Sequence, residues 1–267
     1  MNHTITITGI PAFEDNYIWA LRRGRDVVVV DPGEAGPVLA FLAANDARLA
    51  AVLVTHHHGD HVGGLAALAA QAPWRDGPFI IGPAAEPIDG LTQRAAGGER
   101  IVLPALDIAL DVIAVPGHTA GHLAYYGPAL EAAGAVFCGD TLFAAGCGRL
   151  FEGTPAQMQA SLAALMALPA ATRAYCAHEY TQSNLRFARV VEPDNAAIVD
   201  REAAVRDARD ASRPTVPFTL ADEAATNPFV RWDAPAVRAA AAARIGRAPA
   251  DAIETFAAIR EWKNGFR

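Results

Sequence analysis

The sequence predicts an α/β protein that delivers its chemistry at strand ends, followed by a helical C-terminal part. Three observations predict this. Apolar, strand-like runs alternate with helical segments through the first two thirds of the chain. Four of those runs end in His or Asp. After residue 178 the strand-like runs stop and helical periodicity takes over.

Composition sets the frame for these elements. With 267 residues, 52% of them apolar, the chain can bury a substantial core as one large domain or two. A formal charge of −7 argues against nucleic acid or an anionic membrane as partner, so an anionic substrate must meet a local positive patch. The chain has no run of about eighteen uncharged apolar residues, and its start lacks the basic and apolar regions of a signal peptide. The expectation is a soluble cytoplasmic protein. Cys138, Cys147 and Cys176 are odd in number and lack Cys-x-x-Cys spacing, which fits reduced thiols serving as core or loop filler.

In chain order, the alternation Thr4-Ile5-Thr6-Ile7 reads as a half-buried strand, and 27–30 as a fully buried one ending at Asp31-Pro32-Gly33. A helix follows from near Glu34 to Ala44. The strand at 51–54 runs into Thr55-His56-His57-His58-Gly59-Asp60-His61, with a helix beginning near His61. Between 73 and 111 the signals weaken to short strands at 79–81 and 101–103, broken by Pro and Gly. The strand at 112–115 leads into Pro116-Gly117-His118-Thr119-Ala120-Gly121-His122, and the one at 135–138 ends in Gly139-Asp140. Thr154-Pro155-Ala156-Gln157 is a capping box with proline at the first helical position, opening a helix to about 168. The strand at 173–177 ends in His178.

Beyond it, helices are expected near 181–190, 195–210, 235–245 and 252–263, with Pro-containing linkers at 193, 213–217 and 227–228. The expected domains are therefore 1–178 and 179–267. In the last helix Phe256, Ile259 and Trp262 can face a core, and Arg260 and Lys263 form a neighbouring i, i+3 pair. On helix geometry alone that pair is a solvated basic edge.

The histidine-rich stretch asks for a metal. Along extended chain, side chains at i and i+2 share a face, so His56, His58 and Asp60 can converge while His57 points elsewhere. With His61, His118, Asp140 and His178 there are seven candidate ligands, more than the three or four that one tetrahedral zinc takes. Seven suffice for two cations sharing a carboxylate, a common hydrolytic arrangement. Two divalent cations would outweigh Asp60, Asp140 and a bridging hydroxide, leaving a site that attracts anions and carbonyl oxygens. They would also lower the pKa of water toward roughly 7. His and Asp suit Zn, Fe and Mn, so the donor set leaves the metal open. The sequence contains nothing like a serine or cysteine triad.

The run His56-x-His58-x-Asp60-His61, then Gly117-His118-Thr119-x-Gly121-His122, Phe137-Cys138-Gly139-Asp140-Thr141-Leu142-Phe143 and His178-Glu179-Tyr180-Thr181, resembles the metallo-β-lactamase superfamily. With Asn227-Pro228-Phe229 and Arg260-Glu261-Trp262-Lys263, the chain is similar along nearly its whole length to the hydroxyacylglutathione hydrolase (glyoxalase II) family. The resemblance implies an αββα sandwich with a C-terminal helical domain that binds the glutathione thioester. It implies two divalent metals, zinc first with Fe or Mn as alternatives. One would be held by His56, His58 and His118, the other by Asp60, His61 and His178, with Asp140 bridging. His57 and His122 are not expected ligands, and His3 is expected to be incidental.

The implied reaction is hydrolysis of S-(2-hydroxyacyl)glutathione, typically S-D-lactoylglutathione, to glutathione and a 2-hydroxy acid, the second step of methylglyoxal detoxification. Contacts to the glycine carboxylate of glutathione fall on Arg149, Tyr180, Arg260 and Lys263, which turns the last two from solvated edge to substrate clamp. The implied partner is a small glutathione thioester, and the implied oligomeric state a monomer. Two positions depart from the family pattern. Arg149 stands where many relatives have Lys, and Phe151 where some have a tyrosine that contacts glutathione. The rivals are a lactonase, β-lactamase or persulfide dioxygenase of the same fold, and a metal-binding module without turnover. The basic tail argues against a lactonase, and a complete dinuclear ligand set exceeds what a structural site needs.

Overall fold

The computed structural model describes residues 4–266, so His3 lies outside the described residues. Strand β1 (Thr6–Ala12) turns at Phe13, whose φ is 49°, into its antiparallel partner β2 (Asn16–Arg23). β2 pairs antiparallel with β3 (Asp26–Val30). From there the sheet becomes parallel: α1 (Ala35–Ala44) carries the chain across to β4 (Arg48–Leu53). Two short helices, α2 (Gly59–Val62) and α3 (Leu65–Gln71), lead on to β5 (Ile80–Pro83), and β6 (Gln93–Ala95) completes the order β1-β2-β3-β4-β5-β6. Parallel strands need such crossovers, and from β3 to β4 and from β4 to β5 the crossovers are helices.

One face of this sheet packs Val27, Val29, Val52 and Ile80 with Val38 and Leu42 of α1 and Leu68 of α3. The alternate residues Val28, Val30 and Leu53 are also at most 1% exposed. Burial on both faces explains why these strands read as continuous apolar runs. A second, antiparallel set has the order β10-β9-β8-β7: β7 (Arg100–Leu103), β8 (Ile108–Ala114), β9 (Leu123–Gly127) and β10 (Ala135–Gly139). It is tied to the end of β4 by Tyr125 Oη donating to the Val54 carbonyl at 2.6 Å and by Leu123 N donating to the Thr55 carbonyl at 2.9 Å. Strands β2, β6 and β9 are additions to the sequence reading.

These elements make up one compact unit, Met1–Ala114 with Thr119–Gly139; Val115–His118 with Asp140–Arg267 form another. The composition change at residue 178 is a separate division, of residue usage rather than of packing.

In the second unit, the hairpin of β11 (Leu142–Phe143) and β12 (Gly146–Cys147) turns at Ala145, with φ 54°. Helix α4 (Pro155–Met166) opens on the expected capping box of Thr154 and Gln157, and Ser161 Oγ donates to the Pro116 carbonyl at 2.7 Å. Strand β13 (Arg173–Cys176) pairs with β14 (Phe218–Thr219), so a two-residue strand falls beyond residue 178, where none was expected. Helices α5 (Thr181–Val191), α6 (Ala196–Asp210), α8 (Pro235–Ile245) and α9 (Ala252–Asn264) match the expected segments within a residue or two, and α7 (Leu220–Thr226) is additional. Phe187 of α5 gathers the helical core, with ring centroids 5.7 Å from Phe229 and 5.3 Å from Trp262. All three cysteines are free and buried, as their number and spacing led us to expect. No helix among the described residues is long and apolar enough to cross a membrane.

Candidate metal centre

In the first unit, the parallel strands β3, β4 and β5 each deliver a polar group at the C-terminal end: Asp31, the loop Thr55 to His61, and Glu86. The extended start of that loop brings His56 Nε2 and His58 Nδ1 to 3.0 Å, while Asp60, expected on the same face, lies past the turn in α2. His57 diverges to the buried carboxylate of Glu86, which accepts both its backbone N–H and its ring Nδ1. After the turn into α2, Asp60 Oδ2 and His61 Nε2 lie 3.5 Å apart. The donors of this unit thus sort into two pairs. Close packing keeps the loop in place: a Cβ on Gly33 would fall 1.9 Å from the Asp60 carbonyl oxygen, so only glycine fits there.

The hydrogen bonds also assign ring protons. Asp31 accepts the Thr55 backbone N–H at 2.7 Å and the Thr55 hydroxyl at 2.8 Å. With its proton committed to Asp31, the Thr55 oxygen accepts from His56 Nδ1, 3.0 Å away. Asp31 Oδ2 also faces His61 Nδ1 at 3.1 Å. In the His56 ring the proton sits on Nδ1, which leaves the Nε2 lone pair for a ligand bond. Asn16 Nδ2 donates to Asp60 Oδ2 at 3.0 Å and orients that carboxylate. His122, fully buried, stacks on the His56 ring with centroids 4.6 Å apart.

In the second unit, His118, Asp140 and His178 meet around one oxygen. His118 Nε2 and His178 Nε2 are each 3.4 Å from Asp140 Oδ2. His118 Nδ1 donates to the Arg149 carbonyl at 3.0 Å, a bond that again turns Nε2 inward. Tyr180 stacks its ring on His178 at 4.6 Å and 4°.

All seven expected ligands belong to His and Asp groups that could hold a metal ion. His56, His61, His118, Asp140 and His178 are each at most 6% exposed. Burying five such polar side chains, clustered within each unit, is costly without a cation to share, so the donor set fits a metal. These buried clusters point to a metal site.

The four expected substrate contacts all fall in the second unit. Arg149 is exposed, and its backbone already orients His118. Arg260 is 5% exposed instead of forming a solvated edge: Nη1 donates to the Cys147 carbonyl at 2.9 Å, and the guanidinium lies 5.0 Å from the centroid of the Phe229 ring. Its buried Nε has no hydrogen-bond partner among the described residues. Lys263 Nζ donates to the Ser183 carbonyl at 3.1 Å. Burial, and then the charges of Arg260, Arg186 and Arg149, hold its pKa down at about 8. Phe151 is exposed, its ring edge-on to His118 with centroids 5.2 Å apart.

The sequence reading missed Asn16, Thr55, Asp31 and Glu86 as supports. Asp31 carried a signal, an acid at a strand end; Glu86 carried none, lying in the weakly patterned stretch after 73.

Fold and site together define a member of the metallo-β-lactamase superfamily, and the model described as "Metallo-beta-lactamase superfamily" matches residues 13–81. The solved structures of ETHE1 from Myxococcus xanthus (TM-score 0.66, 22% identity, covering 98% of this chain and 92% of that one) and of the BLEG-1 B3 metallo-beta-lactamase (TM-score 0.61, 20% identity, 84% and 99%) share the fold. The model "Hydroxyacylglutathione hydrolase C-terminus" matches residues 179–266. A hydroxyacylglutathione hydrolase of Cupriavidus taiwanensis is 55% identical over 98% of this chain and 100% of its own length. One of Pseudomonas aeruginosa PAO1 is 51% identical over the same shares. The chain belongs to the hydroxyacylglutathione hydrolase (glyoxalase II) family, the metal-dependent thioester hydrolases of this superfamily. The α/β sandwich with a helical C-terminal region, expected from the resemblance, is borne out.

Proposed function

We propose that this chain hydrolyses S-(2-hydroxyacyl)glutathione, such as S-D-lactoylglutathione, to glutathione and a 2-hydroxy acid such as D-lactate. His56, His58 and His118 would hold one divalent cation, Asp60, His61 and His178 a second, and Asp140 would bridge them. The cations are zinc first, with Fe or Mn as alternatives. The observation that carries this reading is the placement of Asp140 Oδ2, 3.4 Å from a histidine of each proposed set. The two donor pairs of the first unit, His56 with His58 and Asp60 with His61, sort the same way.

When bound, such cations supply a polarised thioester carbonyl and a water whose pKa falls toward roughly 7. The chain's own residues do the rest. Asp31 acting through Thr55, and the Arg149 carbonyl, fix the tautomers of His56 and His118. Arg149, Tyr180, Arg260 and Lys263 hold the glycine carboxylate, a role supported by the unpartnered Arg260 Nε and by the cations around Lys263. The leaving thiolate has a pKa near ~8.5, so no strong general acid is required. On this reading residues 1–178 form the catalytic part and 179–267 the part that binds the glutathione thioester. We place the protein in the cytoplasm, in keeping with its three free buried thiols, and read it as a monomer because one chain supplies every proposed ligand.

The test is metal analysis beside an assay of purified protein on S-lactoylglutathione, a lactone and a β-lactam. About two metals per chain and a clear preference for the thioester are expected. Preference for either ring substrate would overturn the assignment.

A further inference from the structure

Glu86 is a buried carboxylate, 3% exposed, just beyond the end of β5, and no role for it follows from the ligand set. Its two oxygens serve two different loops. Oε2 accepts the His57 backbone N–H at 2.8 Å and also the His57 ring Nδ1. Oε1 accepts the Thr119 hydroxyl at 2.5 Å and the Gly121 backbone N–H at 2.8 Å. Four donors on two oxygens is the acceptor-only geometry of a carboxylate, and an amide in its place would turn an NH₂ toward one pair of donors.

The sequence neighbours of these contacts give them meaning. His57 lies between His56 and His58, and Thr119 directly follows His118. Glu86 therefore touches none of the proposed ligands, yet it holds the residue beside each of three. Both a backbone and a ring bond to His57 keep that side chain turned away, which lets its two neighbours share one face. Access is also reserved for it: a Cβ on Gly121 would sit 2.6 Å from Glu86 Cγ.

We infer that Glu86 is a positioning residue that clamps the His56–His58 loop to the Thr119–Gly121 loop and so presets the ligands of one cation, an inference that rests on the proposed metal centre. Supports of this outer kind commonly change metal affinity by about 10–100-fold when removed. Glutathione contacts lie on other residues, so KM should be insensitive to Glu86.

The experiment compares the parent with Glu86→Gln and Thr119→Val, and with Thr119→Ser as the variant that keeps the hydroxyl. Metal affinity is measured by chelator competition, Co²⁺ absorption spectra report ligand geometry, and kcat and KM are taken at saturating metal. For Glu86→Gln the inference expects affinity for one cation weaker by about 10-fold or more, an altered Co²⁺ spectrum, and reduced kcat at unchanged KM. Thr119→Val should show the same changes in smaller measure, and Thr119→Ser should restore parent values. Parent-like affinity and spectrum in Glu86→Gln would overturn the inference. If Glu86→Gln does not fold, parent-like behaviour of Thr119→Val overturns it instead. A parent that binds no metal would sink the proposed centre itself, a result separate from any difference among the variants.

Discussion

On the proposed function, Lys263 joins substrate recognition to pH. Burial and the positive charge of Arg260, Arg186 and Arg149 bring its pKa from 10.5 to about 8. A substrate carboxylate would favour the charged form, so binding is strongest with the ammonium protonated. KM is therefore expected to rise as pH passes through about 8, a dependence that Lys263→Ala should flatten. The sign for stability is the opposite of an ordinary salt-bridged lysine. Between about 8 and 10.5 the unfolded chain binds more protons than the folded one, so this group's contribution to stability grows as pH rises across that window. Arg260→Ala and Lys263→Ala should each raise KM about 10-fold or more, with much smaller effects on kcat, since charge-assisted hydrogen bonds contribute roughly 1.5–3 kcal/mol. Wild-type KM in both would remove them from the clamp. His58 is only half-buried and leaves no large void when truncated. His58→Ala should thus abolish hydrolysis and lower metal content while circular dichroism stays native, and retained hydrolysis would count against the whole first motif.

At the scale of elements, the β11–β12 hairpin leads from Asp140 to Arg149, and helices of the second unit hold it through buried polar groups. Glu223 of α7 accepts from Ala145 N at 2.8 Å and from Asn227 Nδ2 at 2.7 Å, and pairs with Arg201 of α6 at 2.7 Å. Asn184 of α5 donates to the Ala144 carbonyl at 3.1 Å, and Asn227 donates to that of Gly146 at 2.9 Å. Burial pushes the Glu223 carboxyl up, and Arg201 draws it back down. Arg201→Met leaves that carboxylate buried without its cation and should cost roughly 3–5 kcal/mol, read from urea unfolding. The defect should shrink in acid. A carboxyl whose folded pKa exceeds its unfolded value penalises the fold above that value, and the penalty lifts as pH falls and the group protonates. A defect that does not change with pH would show that packing, not charge, is what Arg201 supplies. None of this was legible in the sequence. A seven-residue helix at 220–226 is too short for periodicity to declare, and Ala145 gives no hint of positive φ.

For the whole molecule, cations held by the buried His and Asp clusters should contribute to folding stability as well as to chemistry. A site that binds only the folded state adds about 2.7 kcal/mol at a metal concentration of 100 Kd. Chelation should lower Tm, and re-addition of Zn²⁺ should restore it in a concentration-dependent way, followed by scanning calorimetry. A Tm indifferent to chelator, in protein first shown to carry metal, would mean that the cations add nothing to folding stability.

The donor set and its local order are legible along the chain. The spacing of His56, His58, Asp60 and His61, the four strand ends and the capping box of α4 are readable because they depend on neighbours within a few residues. Which ring nitrogen His56 and His118 present, and which side chains support the ligand loops, emerged only in three dimensions. Those outcomes depend on Asp31, Asn16, Glu86 and the Arg149 carbonyl, which reach their partners across 24 to 44 positions of chain. The tertiary structure also decided that Arg260, which helix geometry would leave in water, is buried between a carbonyl and an aromatic ring. Protonation and burial are set by what surrounds a group in space, and spacing along the chain does not encode that.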